Sequence, residues 1–396
     1  MKKLSYPLTK NPFLNDDLRE GIKVLKSKQL TLSNKTKEIE NYFGKKLKIK
    51  YSTMVNSGSS ANLLAFQTLI NPYRKKRLKK GDEILIPSLC WSTSLWPIIQ
   101  SGLKPKFVDV EKQSLNLDLN DLRKKISKKT KGIMLVHVLG NCTNMNELMK
   151  IVKAYNLILI EDTCESLGTT YKNKYLGTFG EFSSYSFYSS HQISSGEGGM
   201  ICCKNEEDFE IIKSLRAHGW SRGLKNEKKI SNKNKHLDSR FIFFNSGFNL
   251  RPTDIQAAIG MSQFKKLEKF RDTRFKNREK IINSLKSNPK WNNQFNFIDV
   301  PKKVSPSYMV FPIILNPSYK KKKVKFINYI ESKGLETRPI ISGSFTNQPS
   351  SKLFKLNPKN KKFLGAEKVQ LLGFVIGLHT KKIDTKKVKF ITKTLL

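Results

Sequence analysis

Only five histidines occur among the 396 residues, and one of them, His191, stands where proton chemistry could be done. It lies in Ser186-Phe-Tyr-Ser-Ser-His-Gln-Ile-Ser-Ser-Gly-Glu-Gly-Gly199, where an expected strand runs into a polar loop and a glycine-rich turn opens the next strand. Imidazole titrates near neutrality and moves protons in either direction, although a lone loop histidine is ordinary. Three other places invite a ligand. Asn56-Ser57-Gly58-Ser59-Ser60-Ala61 follows an extended segment and opens a helix. Small residues there let the backbone approach a phosphate, which free N–H groups at a helix start attract; plain serine capping is the alternative. Glu161-Asp162-Thr163-Cys164-Glu165 follows the apolar run Leu157 to Ile160. A carboxylate at the end of a buried strand needs a partner. For Asp162 a protonated pyridine nitrogen is one, and a helix N-cap role competes with it. Trp91 follows the apolar run 83–87, and its indole can stack on a cofactor ring or simply fill the core.

The elements that must position these residues follow from the pattern of apolar side chains. Short apolar runs predict strands at 83–87, 106–109, 132–138 and 157–160, separated by helices at 59–69, 92–100, 120–126 and 146–155. Such alternation predicts an α/β fold: a mostly parallel sheet between helices, with right-handed crossovers. Ligands of such sheets bind at the carboxyl ends of the strands. Further strands are expected at 184–187 and 199–203 and a helix at 206–217. Residues 225–235 read as a mobile lysine-rich loop, and a long helical stretch is expected from 253 to about 287. Residues 1–50 read as an irregular arm followed by a helix at 36–43. The expected organisation is an N-terminal arm and large α/β domain over 1–287, then a small C-terminal α+β domain over 288–396. In the latter, a strand is expected at 308–315 and helices at 322–333, 361–371 and 386–394.

Composition removes several function classes. There are 74 Lys and Arg against 32 Asp and Glu, a formal charge of +42, but only 12 of the basic residues are arginine. The lysines are scattered in short runs, and no helix-turn-helix, finger or RNA-binding signature accompanies them, so no nucleic-acid partner is expected. No apolar run is long enough to span a membrane, and the start, Met1-Lys-Lys-Leu-Ser-Tyr, lacks the apolar core of a signal peptide. The five cysteines, Cys90, Cys142, Cys164, Cys202 and Cys203, form no CxxC pair. Neither a disulfide framework nor a metal site is expected from them, and a cytoplasmic location fits.

In this order and spacing, the motifs resemble the nucleotide-sugar aminotransferase family of fold-type I, pyridoxal-phosphate-dependent enzymes. The resemblance rests on Asn-Ser-Gly-Ser, Trp91, Glu-Asp-x-x-Glu, Gly177-Thr-Phe-Gly180, the Ser186–Gly199 motif and Gly247-Phe-Asn-Leu-Arg-Pro-Thr-Asp-Ile-Gln-Ala-Ala-Ile-Gly260. Ordinary members carry, at the position of His191, the lysine that binds the cofactor covalently. Imidazole cannot make that bond, and the substitution resembles the family's dehydratase branch. Glu161 to Ser166, Arg216-Ala-His-Gly-Trp220 and Glu336-Thr-Arg-Pro-Ile340 strengthen the narrower match.

The resemblance implies non-covalent pyridoxal or pyridoxamine phosphate and C3 dehydration of a nucleotide-linked 4-keto-6-deoxysugar, GDP-4-keto-6-deoxymannose foremost. It also implies L-glutamate as amine donor, released ammonia, a homodimer with a shared site, and a place in deoxysugar and lipopolysaccharide O-antigen biosynthesis. His191 becomes the catalytic residue. Asp162 would pair with the pyridine nitrogen and Trp91 would stack on the ring. Gly58, Ser59 and Ser186 would bind the phosphate, with Asn249 reaching it from a second subunit, and Glu165 would touch the cofactor oxygen or a nearby water. His218 and Arg338 are the candidates for sugar or glutamate contact, with core or surface roles as the alternative. A second histidine-bearing branch uses an iron–sulfur cluster, which needs several placed cysteines; none follows Cys203, so no cluster is expected. An aminotransferase using another lysine, and a non-catalytic binding homologue, remain as alternatives.

Overall fold

The computed structural model describes residues 4–396; Lys2 and Lys3, which entered the leader reading, lie outside the described residues. Two helices come first, α1 (Asn15–Ser27) and α2 (Asn34–Leu47). Then β1 (Tyr51–Val55), α3 (Gly58–Leu69), β2 (Glu83–Pro87), α4 (Ser92–Gln100), β3 (Lys104–Val108), α5 (Leu119–Lys125), β4 (Thr130–Val136), α6 (Met145–Ala154) and β5 (Ile158–Asp162) alternate. Two short strands, β6 (Thr170–Tyr171) and β7 (Lys174–Tyr175), precede β8 (Phe182–Ser186) and β9 (Gly199–Cys203). Helices α7 (Glu206–Arg216), α8 (Glu227–Lys233), α9 (Asp254–Lys265) and α10 (Leu267–Lys286) follow. The remainder holds β10 (Phe295–Phe297), β11 (Val304–Ser305), β12 (Val310–Leu315), α11 (Lys323–Ser332), β13 (Thr337–Arg338), α12 (Pro349–Leu353), α13 (Leu364–Leu372), β14 (Gly373–Gly377) and α14 (Thr385–Leu395).

The main sheet has the order β1-β9-β8-β5-β4-β2-β3. Strands β8, β5, β4, β2 and β3 are parallel, while β9 runs antiparallel to both β1 and β8. Its central strands are buried almost throughout, β8 with its three serines included, because helices cover both faces. Helix α3 buries Ala61, Leu64, Phe66 and Leu69, so it is apolar on most of its circumference. From β2 the chain steps to β3 on one side and then to β4 on the other, so the strand order reverses between β2 and β4. That reversal leaves a crevice at the carboxyl ends. A second sheet, β10-β12-β14-β13, is antiparallel, with β12 fully buried. One apolar core runs from Leu64 and Ile86 through Phe311 to Ile391.

Three segments differ from expectation. The arm contains a helix, α1, whose buried residues Asp17, Gly21 and Val24 follow helical spacing although only one is apolar. The segment expected to be a lysine-rich mobile loop contains α8, which buries none of its residues and starts from good helix formers with Glu227 in its first turn. The long helix expected over 253–287 is divided at Lys266, whose ammonium reaches Asp16 of α1 at 2.6 Å.

Helix α2 has no side-chain cap of its own and no acid in its first turn. Asp254, the first residue of α9, supplies both from a distance. Its Oδ1 accepts from the N–H of Ser33 at 2.9 Å, from the N–H of Thr36 at 3.3 Å and from the Thr36 hydroxyl at 2.6 Å, while Oδ2 accepts from the N–H of Lys35 at 3.1 Å. Removing a cap leaves buried donors unmet, so Asp254→Ala should cost about 2–4 kcal/mol. Asp254→Asn, which keeps one acceptor oxygen, should lose less; thermal melting of the two variants measures the difference.

Candidate active site

A cavity of about 340 Å³ opens where β4, β5 and β8 end and α3 begins. At its floor, Ser57 caps α3 by accepting from the N–H of Ser60 at 3.1 Å. The N–H groups of Gly58 and Ser59, in the first turn, have no acceptor within the helix and point out of its start. A Cβ on Gly58 would stand 2.7 Å from both Cys164 Sγ and Ser186 Cβ. One on Gly199 would stand 2.4 Å from the carbonyl carbon of Ser57. Both glycines are therefore required by the close approach of β8 and β9 to the helix start.

Asp162 ends β5, is buried, and lines the cavity. Its Oδ2 accepts from Asn62 Nδ2 at 2.9 Å and from the Ser94 hydroxyl at 2.7 Å, and Oδ1 accepts from the N–H of Cys164 at 3.1 Å. No helix starts after it, so the competing N-cap role is not what this carboxylate does. The neighbouring Glu161 points to the other face and is fully buried. It accepts from the N–H groups of Gly177 at 2.8 Å, Phe179 at 2.7 Å and Gly180 at 2.6 Å, and pairs with His137 Nε2 at 2.9 Å. Burial alone would raise its pKa; the His137 contact and the N–H groups of Gly180 and Gly177 hold it below the usual carboxylate range. This explains the Gly177-Thr-Phe-Gly180 motif as a cradle for a buried charge.

His191 lies on the loop between β8 and β9 and lines the same cavity. Its N–H donates to the Tyr188 carbonyl at 3.0 Å, and its ring meets the Tyr188 ring edge-on at 5.7 Å. Nδ1 is buried and has no hydrogen-bond partner. Burial pushes the imidazole pKa down to about 4, against smaller opposing pulls from a hydrogen bond with the Ser186 backbone and then from Asp162. Glu165 lines the cavity beside it and accepts from the N–H of Leu139 at 3.1 Å. Leu139 presents that N–H from a left-handed conformation, φ +53°. Burial, and then the charge of Asp162, push the Glu165 pKa up to about 8. Trp91 is 56% exposed at the start of α4, so it is a wall of the cavity and not a core residue.

Arg338 also lines the cavity, from β13. It lies 3.9 Å from Glu336, whose carboxylate accepts from the N–H of Leu8 at 2.7 Å. Thus Gly58, Ser59, Trp91, Asp162, Glu165, Ser186, His191 and Arg338 come together, while His218 and Asn249 do not. His218 has φ +59°, donates its N–H to the Phe248 carbonyl at 2.7 Å and packs against Trp220. Asn249 is exposed and accepts from Arg251 Nε at 2.9 Å. Sequence reasoning missed Asn62, Ser94 and His137. The available signal was Asn62, a polar residue inside the apolar run of α3. Among the described residues no three His, Cys, Asp or Glu side chains gather as metal ligands, and no helix is long and apolar enough to cross a membrane.

Comparison with known proteins agrees with this geometry. Residues 14–395 match the DegT/DnrJ/EryC1/StrS aminotransferase family. A GDP-4-keto-6-deoxy-D-mannose 3-dehydratase of Escherichia coli O55:H7 is 36% identical over 380 residues, covering 95% of this chain and 96% of that protein. A solved E. coli GDP-4-keto-6-deoxy-D-mannose 3-dehydratase with bound hydrated pyridoxal phosphate superposes with a TM-score of 0.90 at 33% identity, covering 99% of this chain and 100% of the other. A structure of GDP-4-keto-6-deoxymannose 3-dehydratase with a trapped pyridoxal phosphate–glutamate geminal diamine gives 0.88 at 33% identity, with 99% and 100% covered. The central sheet, the crevice at its carboxyl ends and these matches agree: the chain belongs to the DegT/DnrJ/EryC1/StrS aminotransferase family.

Proposed function

We propose that this protein removes the C3 hydroxyl of a nucleotide-linked 4-keto-6-deoxysugar, GDP-4-keto-6-deoxymannose, with L-glutamate as amine donor. The observation that carries the reading is His191 in the cavity, with no lysine among the described residues that line it. The cavity suits pyridoxamine phosphate: a helix start with free N–H groups beside a space that a Cβ on Gly58 would fill, and a buried carboxylate at Asp162. When bound, that cofactor supplies the amine that engages the C4 ketone and the ring that accepts electrons.

The protein's own residues do the rest. Gly58, Ser59 and Ser186 hold the phosphate. Asp162, kept in place by Asn62 and Ser94, faces the pyridine nitrogen and favours its protonated form. Trp91 covers the ring face. His191, neutral at pH 7 because burial disfavours its charged form, accepts a proton from the cofactor's C4′ carbon. It then delivers that proton to the departing C3 oxygen. Glu165, protonated below about pH 8, donates a hydrogen bond toward the cofactor oxygen or its water. Arg338 meets the carboxylate of glutamate or the sugar nucleotide, a role that His218, outside the cavity of its own chain, does not share there. Asn249 lies outside the cavity of its own chain and would serve that of a second copy, so the working form is a homodimer. Free cysteines and a scattered lysine surface suit a cytoplasmic enzyme with no nucleic-acid partner. The reaction balances as sugar plus glutamate giving the 3-deoxy sugar, 2-oxoglutarate and ammonia.

With pyridoxal phosphate, glutamate and GDP-4-keto-6-deoxymannose, the purified protein should release ammonia and 2-oxoglutarate in equal amounts alongside a 3-deoxy sugar. An aminated sugar without free ammonia would overturn the reading. His191→Asn should lower turnover by about 100-fold or more, and borohydride treatment of the wild-type holoenzyme should leave no reduced lysyl adduct.

Glu165 also makes stability depend on pH. Its folded pKa lies above the value of about 4.3 expected in the unfolded chain, so the native state holds a proton that the unfolded state has lost. Stability therefore falls between about pH 4.3 and 8. Glu165→Gln has no such proton to lose. The melting temperature of that variant, relative to wild type, should rise across this window and level off above it.

A further inference from the structure

We infer that Arg274 is a positioning residue for His191: from α10 it grips the backbone that carries the imidazole and so fixes where the ring enters the cavity. The inference rests on the role proposed for His191. Arg274 is buried, midway along α10. Its guanidinium makes three hydrogen bonds, all to main-chain carbonyls. Nη2 donates to His191 at 2.9 Å, Nη1 to Gln192 at 2.9 Å, and Nε to Leu378 at 3.0 Å. None of these acceptors is a carboxylate, and burial lowers the guanidinium pKa to about 10. A buried cation held only by carbonyl dipoles is costly, and a methionine of similar length would fill the space without that cost.

The geometry points to what the charge does there. A planar fork that binds two successive carbonyls fixes the two peptide planes on either side of Gln192, which a flexible ammonium does less well. The first of these planes starts at the Cα of His191 and so constrains the direction of its side chain. The imidazole itself is held only by the Ser186 backbone and the edge of the Tyr188 ring, and its Nδ1 has no hydrogen-bond partner, so its aim depends on the backbone that carries it. Gln192 strengthens the same clamp: its side-chain amide donates to the carbonyls of Ser307, at 3.0 Å, and Glu165. Nε of Arg274 and, one turn along, Asn277 tie the other end. Asn277 donates to His379 at 3.1 Å and Lys381 at 2.9 Å and accepts from Ile383 at 3.1 Å. One face of α10 therefore holds both the His191 loop and the chain leaving β14.

Two variants separate position from charge. Arg274→Lys keeps the charge and loses the fork; Arg274→Met loses both. Cofactor-free protein labelled with 13C-histidine gives a readout that needs no turnover, with the His191 resonance identified by its absence in His191→Asn. In Arg274→Lys that resonance should broaden or split, and its titration midpoint should move up by roughly one pH unit as water reaches the ring. Turnover should fall roughly 10- to 100-fold, with KM for the sugar nucleotide changed less than about threefold, as expected for a misplaced catalytic group. If either readout stays at the wild-type value in Arg274→Lys, the assignment is overturned, even where Arg274→Met shifts the titration, because that shift then reports only the lost charge. Should Arg274→Met fail to fold, the Lys variant alone decides. Should the wild type show no dehydration, the function proposed above fails, and the histidine titration still decides the role of Arg274.

Discussion

A carboxylate with no access to water organises this site. Glu161 is fully buried at the end of β5, and an ion there survives only if its oxygens are met by donors. The N–H groups of Gly177, Phe179 and Gly180, in the loop before β8, and His137 meet them. The consequence extends beyond the charge itself. Because side chains alternate along a strand, pinning Glu161 on one face sets the residue after it on the other, and that residue is Asp162. The carboxylate that faces the cavity is thus aimed from behind by one that does not, and from the sides by Asn62 and Ser94.

The same crevice contains ionisable groups pushed in opposite directions by burial. The charged form is disfavoured in each case, which makes the imidazole of His191 a free base and the carboxyl of Glu165 an acid in the neutral range. Two groups that would ordinarily be partly or fully charged are both neutral beside Asp162. Such a pairing of a proton acceptor and a proton donor around a fixed anion suits chemistry in which a carbon-bound proton is removed and an oxygen leaves.

What could be read from the sequence were features carried by contiguous residues. Strands β2, β4 and β5 announce themselves as short apolar runs, α3 as a small-residue start followed by an apolar helix, and the histidine by its place between Ser186 and the glycine turn. What could not be read were partnerships across the chain. Asn62 lies 100 residues from Asp162, Ser94 lies 68 away, and Arg274 lies 83 from His191. No local periodicity encodes such contacts. Helix α1 was illegible for a different reason: its buried stripe is Asp17, Gly21 and Val24, because Asp17 is needed by Ser262 and Gln263 and Gly21 by the close side chain of Ile259. Hydrophobic patterning fails where a helix is held by hydrogen bonds and close approach.

The cap that α9 lends to α2 has a consequence in time. Asp254 stands 219 residues beyond Lys35, and at about 5–20 residues per second a ribosome needs roughly 11–44 s to cover that interval. During synthesis α2 must wait, uncapped, for a residue made long after it. The first part of the chain to emerge is among the last to be fastened.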